Sequence, residues 1–526
     1  MCAINGFLRI PSHRPVDIID DMNKANSFRG PDGTSRWFDN KICLGHNLLS
    51  ISGDPETSVQ PVRSKKGNYL VYNGEHFDIE GYDTDYLCDM LDHYGISYLK
   101  NINAHFALAW YEPEKNQVTI ARDHYGVKPL FYYRRDQQLA FSSSIHGICA
   151  YQKVCIDYFK ANEIERTIGY HIGNMTIYKD VYSLNMGEYI TFDVLTARVV
   201  SSGWLHDFTL EPVTKTDSEI RDLIYESVES VSKTNKKLAV GVSGGLDSTT
   251  LAYILNEKNI DCDMITMMYE TNEDNSYTQD WKYAKDFYKS IDRQPELIAL
   301  TKERSEEFKQ RSIDATMMPM QDYDRQICRH ILCHKASEIG AKVILTGDGS
   351  DEIFTGYVSH SQLFSISEDE QKAFFKSHYD QWRPEKHGNF PSHVFGPDHL
   401  NNYLFLDLFK KCQTYNISTD AHAGYYGIES RIPFLRQKIV KTMMCVPSKD
   451  KIKIIEGLDL NTIGNTKYYL RHLFRDDLPQ SIVTRRMKSG FSLPWGSLTM
   501  DVNLMSRNQQ FRNLRKIIAE KPIQYQ

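Results

Sequence analysis

The chain has 526 residues, of which 41% are hydrophobic and 25% charged. At about 150 residues per domain this predicts two to four folded domains and excludes a disordered chain. Lys and Arg number 62 against 68 Asp and Glu, a net charge of −6, so there is no basic field for a phosphate backbone and no expectation of nucleic-acid binding.

No stretch approaches the ~20 apolar residues of a membrane helix. The start, MCAINGFLRIPSHR, lacks the basic-then-apolar order of a secretory signal. The ten cysteines contain no CxxC pair, which disfavours a zinc ribbon and reads as reduced thiols. The expectation is a cytoplasmic protein with no membrane partner.

Residues 1–202 are strand-rich. KICLGHNLLSI, GNYLVYNGE, HFALAWYE, QVTIARD, LAFSSSI and GEYITFDVL are short β-type runs divided by Gly, Asn, Asp or Pro, the pattern of stacked sheets. Residues 203–216 read as a linker. From 217 to 526 helical stretches alternate with short apolar strands. SEIRDLIYESVESVSK and STTLAYILNEK are predicted helices, KLAVGV, DMITMMY and KVILTG strands, and 278–290 a polar helix. That alternation predicts parallel α/β units. Residues 360–400 are polar, with helices and a loop expected. No internal repeat is present.

Cys2 stands out by position. With Met1 removed it would carry a thiol and a free α-amine, whose unperturbed pKa of about 7.7–8.0 makes it a base near neutral pH. This is the N-terminal nucleophile arrangement. Downstream come Arg29-Gly30-Pro31-Asp32, Gly45-His46 with Leu49-Ser50-Ile51, Asn73-Gly74-Glu75, and Arg122-Asp123 with Gly126-Val127-Lys128-Pro129-Leu130. In this order the set resembles the glutaminase domain of class II glutamine amidotransferases. The resemblance implies that Cys2 attacks the glutamine amide and forms a thioester, with release of ammonia. Asn73 and the Gly74 N–H would receive the oxyanion. Glu75 and Asp83 would hold the glutamine α-amine, and Leu49 and Ile51 would shape the pocket.

There are departures. Leu48 stands where the family's Arg pairs with the glutamine α-carboxylate, so another cation must substitute; Arg29 and Arg63 are candidates. Phe28 replaces a His, and Phe141-Ser142-Ser143-Ser144 replaces FASE.

KLAVGVSGGLDSTT places a buried strand directly before Ser243-Gly244-Gly245, with a helix from about Asp247. Such a turn brings backbone N–H groups and a helix N-terminus against an oligoanion. No GK[ST] follows, so this is not a kinase-type P-loop. A glycine turn with a Ser or Asp cap is the bland alternative. SGGLDS as a whole resembles the pyrophosphate loop of ATP pyrophosphatases. Thr346-Gly347-Asp348-Gly349-Ser350-Asp351-Glu352 is similar to the asparagine synthetase SGEGSDE block. The resemblance implies ATP contacts from Gly241, Ser243, Gly244, Gly245, Asp247, Ser248, Met267, Thr346 and Gly347. Asp247 and Asp351 would hold Mg²⁺, Asp348 would take the role of the acid that assists ammonia attack, and Lys467, in KxxLR, would meet the α-phosphate and leaving pyrophosphate. Glu429 to Leu435 resembles LExRxPFL, with Arg436 where the family has Asp, and Arg485 to Pro494 resembles RxKxGFxxP. HAGYYGIESR departs from the family's DxxSMAxxxExR.

The chain is therefore identified as a divergent relative of the asparagine synthetase family. The implied fold is α/β, an N-terminal nucleophile αββα sandwich followed by a parallel-sheet, adenine nucleotide α-hydrolase-like domain. The implied reaction turns aspartate, glutamine and ATP into asparagine, glutamate, AMP and pyrophosphate, with Mg²⁺ and no organic cofactor. A homodimer is admissible. The Asp348 and Arg436 changes leave room for a different carboxylate acceptor. A dead regulator is disfavoured by the intact Cys2 and SGGLDS.

Overall fold

A computed structural model describes residues 2–8, 14–52, 58–166, 173–269, 276–318, 323–381, 391–454 and 466–485. Of the RxKxGFxxP resemblance only Arg485 falls within them. The N-terminal half contains strands β1 (Ala3–Leu8), β2 (Gly33–Phe38), β3 (Ile42–Leu48), β4 (Val62–Arg63), β5 (Tyr69–His76), β6 (Ala104–Glu112), β7 (Gln117–Arg122), β8 (Phe131–Arg135), β9 (Gln138–Ser142), β10 (Val181–Ser183), β11 (Glu188–Asp193) and β12 (Val199–Trp204). Its helices are α1 (Pro15–Ala25), α2 (Asp83–Tyr94), α3 (Ile145–Tyr151) and α4 (Tyr158–Arg166). Two six-stranded sheets form, in the orders β10-β8-β9-β1-β3-β2 and β12-β11-β7-β6-β5-β4.

Strand alternation explains the layering. On β6, Ala107, Ala109 and Tyr111 enter the core between the sheets with Ile4, Leu44 and Phe141. Phe106, Leu108 and Trp110 point the other way, onto Leu87 and Leu91 of α2. On β1, Phe7 faces Ile19 and Met22 of α1 and Ile148 of α3. Helix, sheet, sheet and helix therefore stack as the αββα sandwich that the resemblance implied.

The C-terminal half begins at α5 (Asp217–Ser232), whose capping box pairs Thr216 with Glu219. It continues with β13 (Leu238–Gly241), α6 (Leu246–Glu257), β14 (Asp263–Tyr269), α7 (Ser276–Ser290), β15 (Glu296–Leu300), α8 (Lys302–Thr316), α9 (Tyr323–Glu338), β16 (Val343–Leu345) and β17 (Glu429–Arg431). The five strands are parallel in the order β15-β14-β13-β16-β17. Strand order reverses between β13 and β16, so the loops after these two strands open at a topological switch point, where such sheets bind ligands. Between 360 and 400 the described residues include the helix Glu368–Gln381 and a single turn Ser392–Val394. A long helix follows, His399–Gly424, buried on every face from Cys412 onward. Among the described residues no helix is long and apolar enough to cross a membrane, and the ten cysteines form no disulfide.

Candidate active sites

Cys2 lies immediately before β1, next to the end of β3. Its Sγ is 3.4 Å from the Leu49 N–H, which donates to it, and 3.7 Å from the Leu49 carbonyl. Burial pushes the thiol above its ordinary value, and the Leu49 hydrogen bond partly offsets this. Behind it the FSSS block is structural. Ser143 accepts from the Ile4 N–H at 3.0 Å, and Ser142 donates to Asn5 at 2.8 Å.

Asn73 and Gly74 lie on β5. Asn73 is fully buried, and neither its amide N nor its O has a hydrogen-bond partner among the described residues. A buried amide without partners is costly unless something else uses it, and a reacting oxyanion is such a partner. Gly74 has no room for a side chain, since a Cβ there would come within 2.4 Å of the His105 carbonyl. Asp83, at the start of α2, accepts from the His76 N–H at 2.7 Å. Burial pushes it up to about 6, against those hydrogen bonds. Glu75 is pushed up by burial to about 8, although Arg431 opposes the shift. Arg431 belongs to β17 of the other half, and its Nη2 is 3.5 Å from Glu75.

Leu48 is a buried apolar residue at the end of β3. Of the two candidate substitute cations, Arg29 is committed elsewhere. Its Nη2 is 2.6 Å from Asp420, both side chains being buried. Arg63 is exposed on the edge strand β4.

The second site occupies the switch point. Gly244 turns with φ +70°, where a Cβ would come within 2.6 Å of both the Ala284 N and the Asp280 O. The turn delivers the chain into α6, with Gly245 as its N-cap. Ser248 Oγ accepts from the Ser243 N–H at 3.1 Å and closes the loop. A cavity of about 420 Å³ opens there. Of the expected ATP residues, Gly241, Ser243, Gly245, Asp247, Ser248, Met267, Thr346 and Gly347 line it, with Asp348 and Asp351; Gly244 does not. The Gly244 carbonyl instead accepts from Arg485 at 3.2 Å.

Lys467 projects between the two expected metal carboxylates. Its Nζ is 2.5 Å from Asp247 and 2.6 Å from Asp351. Burial pushes this ammonium down, but the two carboxylates outweigh it and the net shift is upward. Ser350 donates to Asp247 at 2.8 Å. Carboxylate oxygens are hard donors of the kind Mg²⁺ takes, so the chemistry of these two donors suits the ion, while the point between them is held here by the Lys467 ammonium.

Asp348 is held on several sides. Arg329 Nη2 is 2.9 Å from one oxygen, and the hydroxyls of Thr346 and Thr419 donate to the other at 3.0 and 2.8 Å. Arg329, Tyr415 and Thr419 also line the cavity, and none belongs to a motif singled out in the sequence. Arg436, which stands where the family has Asp, does not line this cavity; its guanidinium lies over the Phe77 ring of the N-terminal half at 5.1 Å, and burial pushes it down to about 10.

The long helix His399–Gly424 connects the switch-point cavity to the N-terminal half. Gln413 accepts from Arg122 at 3.0 Å, Asn416 donates to the Tyr125 carbonyl at 2.8 Å, and Asp420 pairs with Arg29. Spaced at i, i+3 and i+7, these three share one face. Tyr415, Ser418 and Thr419 point toward α9 and the cavity.

The sequence profile of the asparagine synthase family matches residues 219–516, and that of the glutamine amidotransferase domain matches residues 1–202. The chain is 26% identical over 411 residues to a putative asparagine synthetase (glutamine-hydrolyzing) 2 of Methanocaldococcus jannaschii, covering 68% of this chain and 76% of that protein. It is 25% identical over 516 residues to asparagine synthetase (glutamine-hydrolyzing) 2 of Bacillus subtilis, covering 85% and 67%. To amidase chry2 of Gibberella zeae it is 24% identical over 411 residues, covering 68% and 59%.

Proposed function

Because the chain belongs to the asparagine synthase family, we propose that it is a glutamine-hydrolysing, ATP-dependent amide ligase that converts aspartate to asparagine. In this reading residues 1–202 make ammonia, 203–216 link, and 217–526 activate the acceptor. One observation carries it. A Cys2 thiol that accepts from the Leu49 N–H, and a phosphate loop next to Lys467 with Asp247 and Asp351, occur together in one chain and support this reading.

In the first half the Cys2 thiol passes its proton to its own α-amine and attacks the glutamine amide carbon. The Asn73 amide and the Gly74 N–H take the oxyanion, while Glu75 and Asp83 hold the substrate ammonium. Collapse releases ammonia and leaves a thioester, which water hydrolyses to glutamate. In the second half the SGGLDS backbone and the N-terminus of α6 cradle the phosphates. Lys467 stabilises charge on the leaving pyrophosphate as the acceptor carboxylate takes the adenylyl group. Mg²⁺, held by Asp247 and Asp351, would neutralise phosphate charge when bound.

A second reading keeps the chemistry and changes the acceptor. It is supported by the engagement of Asp348 with Arg329, and by the amidase among the relatives. One assay separates the two. With amide-¹⁵N-glutamine, ATP, Mg²⁺ and aspartate, pyrophosphate and labelled asparagine should appear in equal amounts. Glutamate without either product would leave the glutaminase standing and remove aspartate as acceptor. Cys2→Ala should abolish the glutamine-dependent product and spare synthesis from free ammonia; loss of both, or survival of both, counts against the assignment of Cys2.

A further inference from the structure

The short strand β17 lies at the seam between the two halves. Lys128 of the N-terminal half donates to its Ser430 carbonyl at 3.0 Å. Arg431, fully buried, is tied down inside its own half. Its Nε donates to Glu429 at 2.7 Å, and its Nη1 donates to the Val231 and Lys233 carbonyls at 2.8 and 3.0 Å. The remaining nitrogen, Nη2, is buried and has no hydrogen-bond partner among the described residues. It lies across the seam from Glu75, 3.5 Å away.

Glu75 is one of the two carboxylates assigned above to the glutamine ammonium, and among the described residues this is its one ion pair. A buried donor left without a hydrogen bond is costly, and a planar guanidinium fixed by three other bonds cannot turn to find a different acceptor. The cost falls when Glu75 is ionised and drawn toward Nη2. That same ionisation is what a substrate ammonium requires. The other groups around Glu75 do not replace Arg431. Asp83 of α2 and Glu429 of β17 oppose its ionisation, and Lys128 is engaged with the Ser430 carbonyl. His105, opposite Glu75 in the pairing of β5 with β6, is kept neutral by burial and by the cations nearby.

We propose that Arg431 is a positioning residue of the glutamine site, supplied by the second half of the chain, and that it holds the Glu75 carboxylate which receives the α-ammonium of the substrate. This rests on the glutaminase reading given above and extends its site beyond residues 1–202. The carbonyl of the same residue accepts from the Thr346 N–H at 3.2 Å, and Thr346 lines the switch-point cavity. Arg431 therefore stands between the two sites, with its side chain facing one and its backbone bonded to the wall of the other.

The test is hydrolysis by the full chain, without ATP, of glutamine and of glutaramate, which has the same amide and terminal carboxylate but no α-amine. The wild type should prefer glutamine by about ten- to a hundredfold in kcat/KM, the range of a charge-assisted hydrogen bond. Arg431→Gln should raise the KM for glutamine about tenfold at pH 7, because Glu75 then ionises only at higher pH. Part of that loss should return by pH 8.5. Glutaramate hydrolysis should be unchanged at both pH values, which reports an intact fold and an intact Cys2. Arg431→Lys keeps the charge without the fork; it should raise the glutamine KM by less, and decides the matter if the Gln variant does not fold. With Glu75→Gln already in place, Arg431→Gln should add nothing further.

An equal loss with glutamine and glutaramate would mean a structural role and overturn the assignment. A glutamine KM that does not move in the folded Arg431 variant overturns it as well, as does one that moves just as far when Glu75 is already Gln. Equal efficiency of the wild type on the two amides removes ammonium recognition and this inference, and leaves the chemistry of Cys2 standing. Hydrolysis of neither amide removes the glutaminase reading and this one with it.

Discussion

Asp420→Asn should loosen the union of the two halves by about 3–5 kcal/mol. The Arg29–Asp420 contact is 2.6 Å long, with side chains 1% and 0% exposed. It is therefore outside the class of exposed ion pairs worth about 0–1 kcal/mol. Asparagine keeps the volume of aspartate, so no cavity contributes, and the effect is that of an arginine left in the interior without its counter-charge. Breaking a buried pair from one side costs about 3–5 kcal/mol, whereas replacing both partners with apolar side chains is often neutral. The double variant Arg29→Met/Asp420→Met should accordingly recover most of the loss. The assay is urea unfolding of the wild type, Arg29→Met, Asp420→Met and the double variant, which form a cycle, with Asp420→Asn beside them, followed by tryptophan fluorescence and by far-UV circular dichroism, since coincidence of the two probes is needed before free energies are compared. A single-variant cost within about 1 kcal/mol would show a pair screened by water. Strict additivity in the cycle would mean that the two groups do not interact. Either result refutes the closed interface described above.

Other outcomes follow from the same geometry. Gly244→Ala should lose pyrophosphate release with either nitrogen donor, because its Cβ would strike the Ala284 N and Asp280 O at 2.6 Å on a backbone with φ +70°; an active variant would mean the loop is not held this way. Burial pushes the carboxyls of Glu75 and Asp83 up, to about 8 and about 6, and only their ionised forms attract the glutamine ammonium. The KM for glutamine should thus fall as pH rises from 6 to 8, and Glu75→Gln should flatten the upper part of that dependence; a flat wild-type profile contradicts the assignment. Leu48→Arg should tighten glutamine binding if the missing cation limits it, and an unchanged KM would indicate that another group already serves.

Much of this was legible in the chain because the informative segments are local. HFALAWYE is a nearly continuous apolar run, and both its faces are buried, one against the other sheet and one against α2. SGGLDS reads directly as strand, turn and helix. Arg122 was visible only as a motif marker, yet it donates to the Lys128, Gly126 and Leu184 carbonyls and to Gln413. Its partners are up to 291 residues away, and no periodicity reports such a distance. The long helix was missed for a physical reason. A helix buried on every face has no polar stripe, so its 3.6-residue period vanishes. Arg329, Ser418 and Thr419 were missed with it, and β17, three residues long, is too short to carry a pattern.

The helix His399–Gly424 also bears on how such a chain can be re-engineered. Its two faces serve different masters, Gln413, Asn416 and Asp420 gripping the N-terminal half while Tyr415, Ser418 and Thr419 shape the wall around Asp348. A chimera cut at the connecting segment would therefore separate the grip from the surface it fits. Exchanging acceptor pockets between relatives requires moving Arg29, Arg122 and the 123–128 turn along with the helix, so the functional module is not the domain.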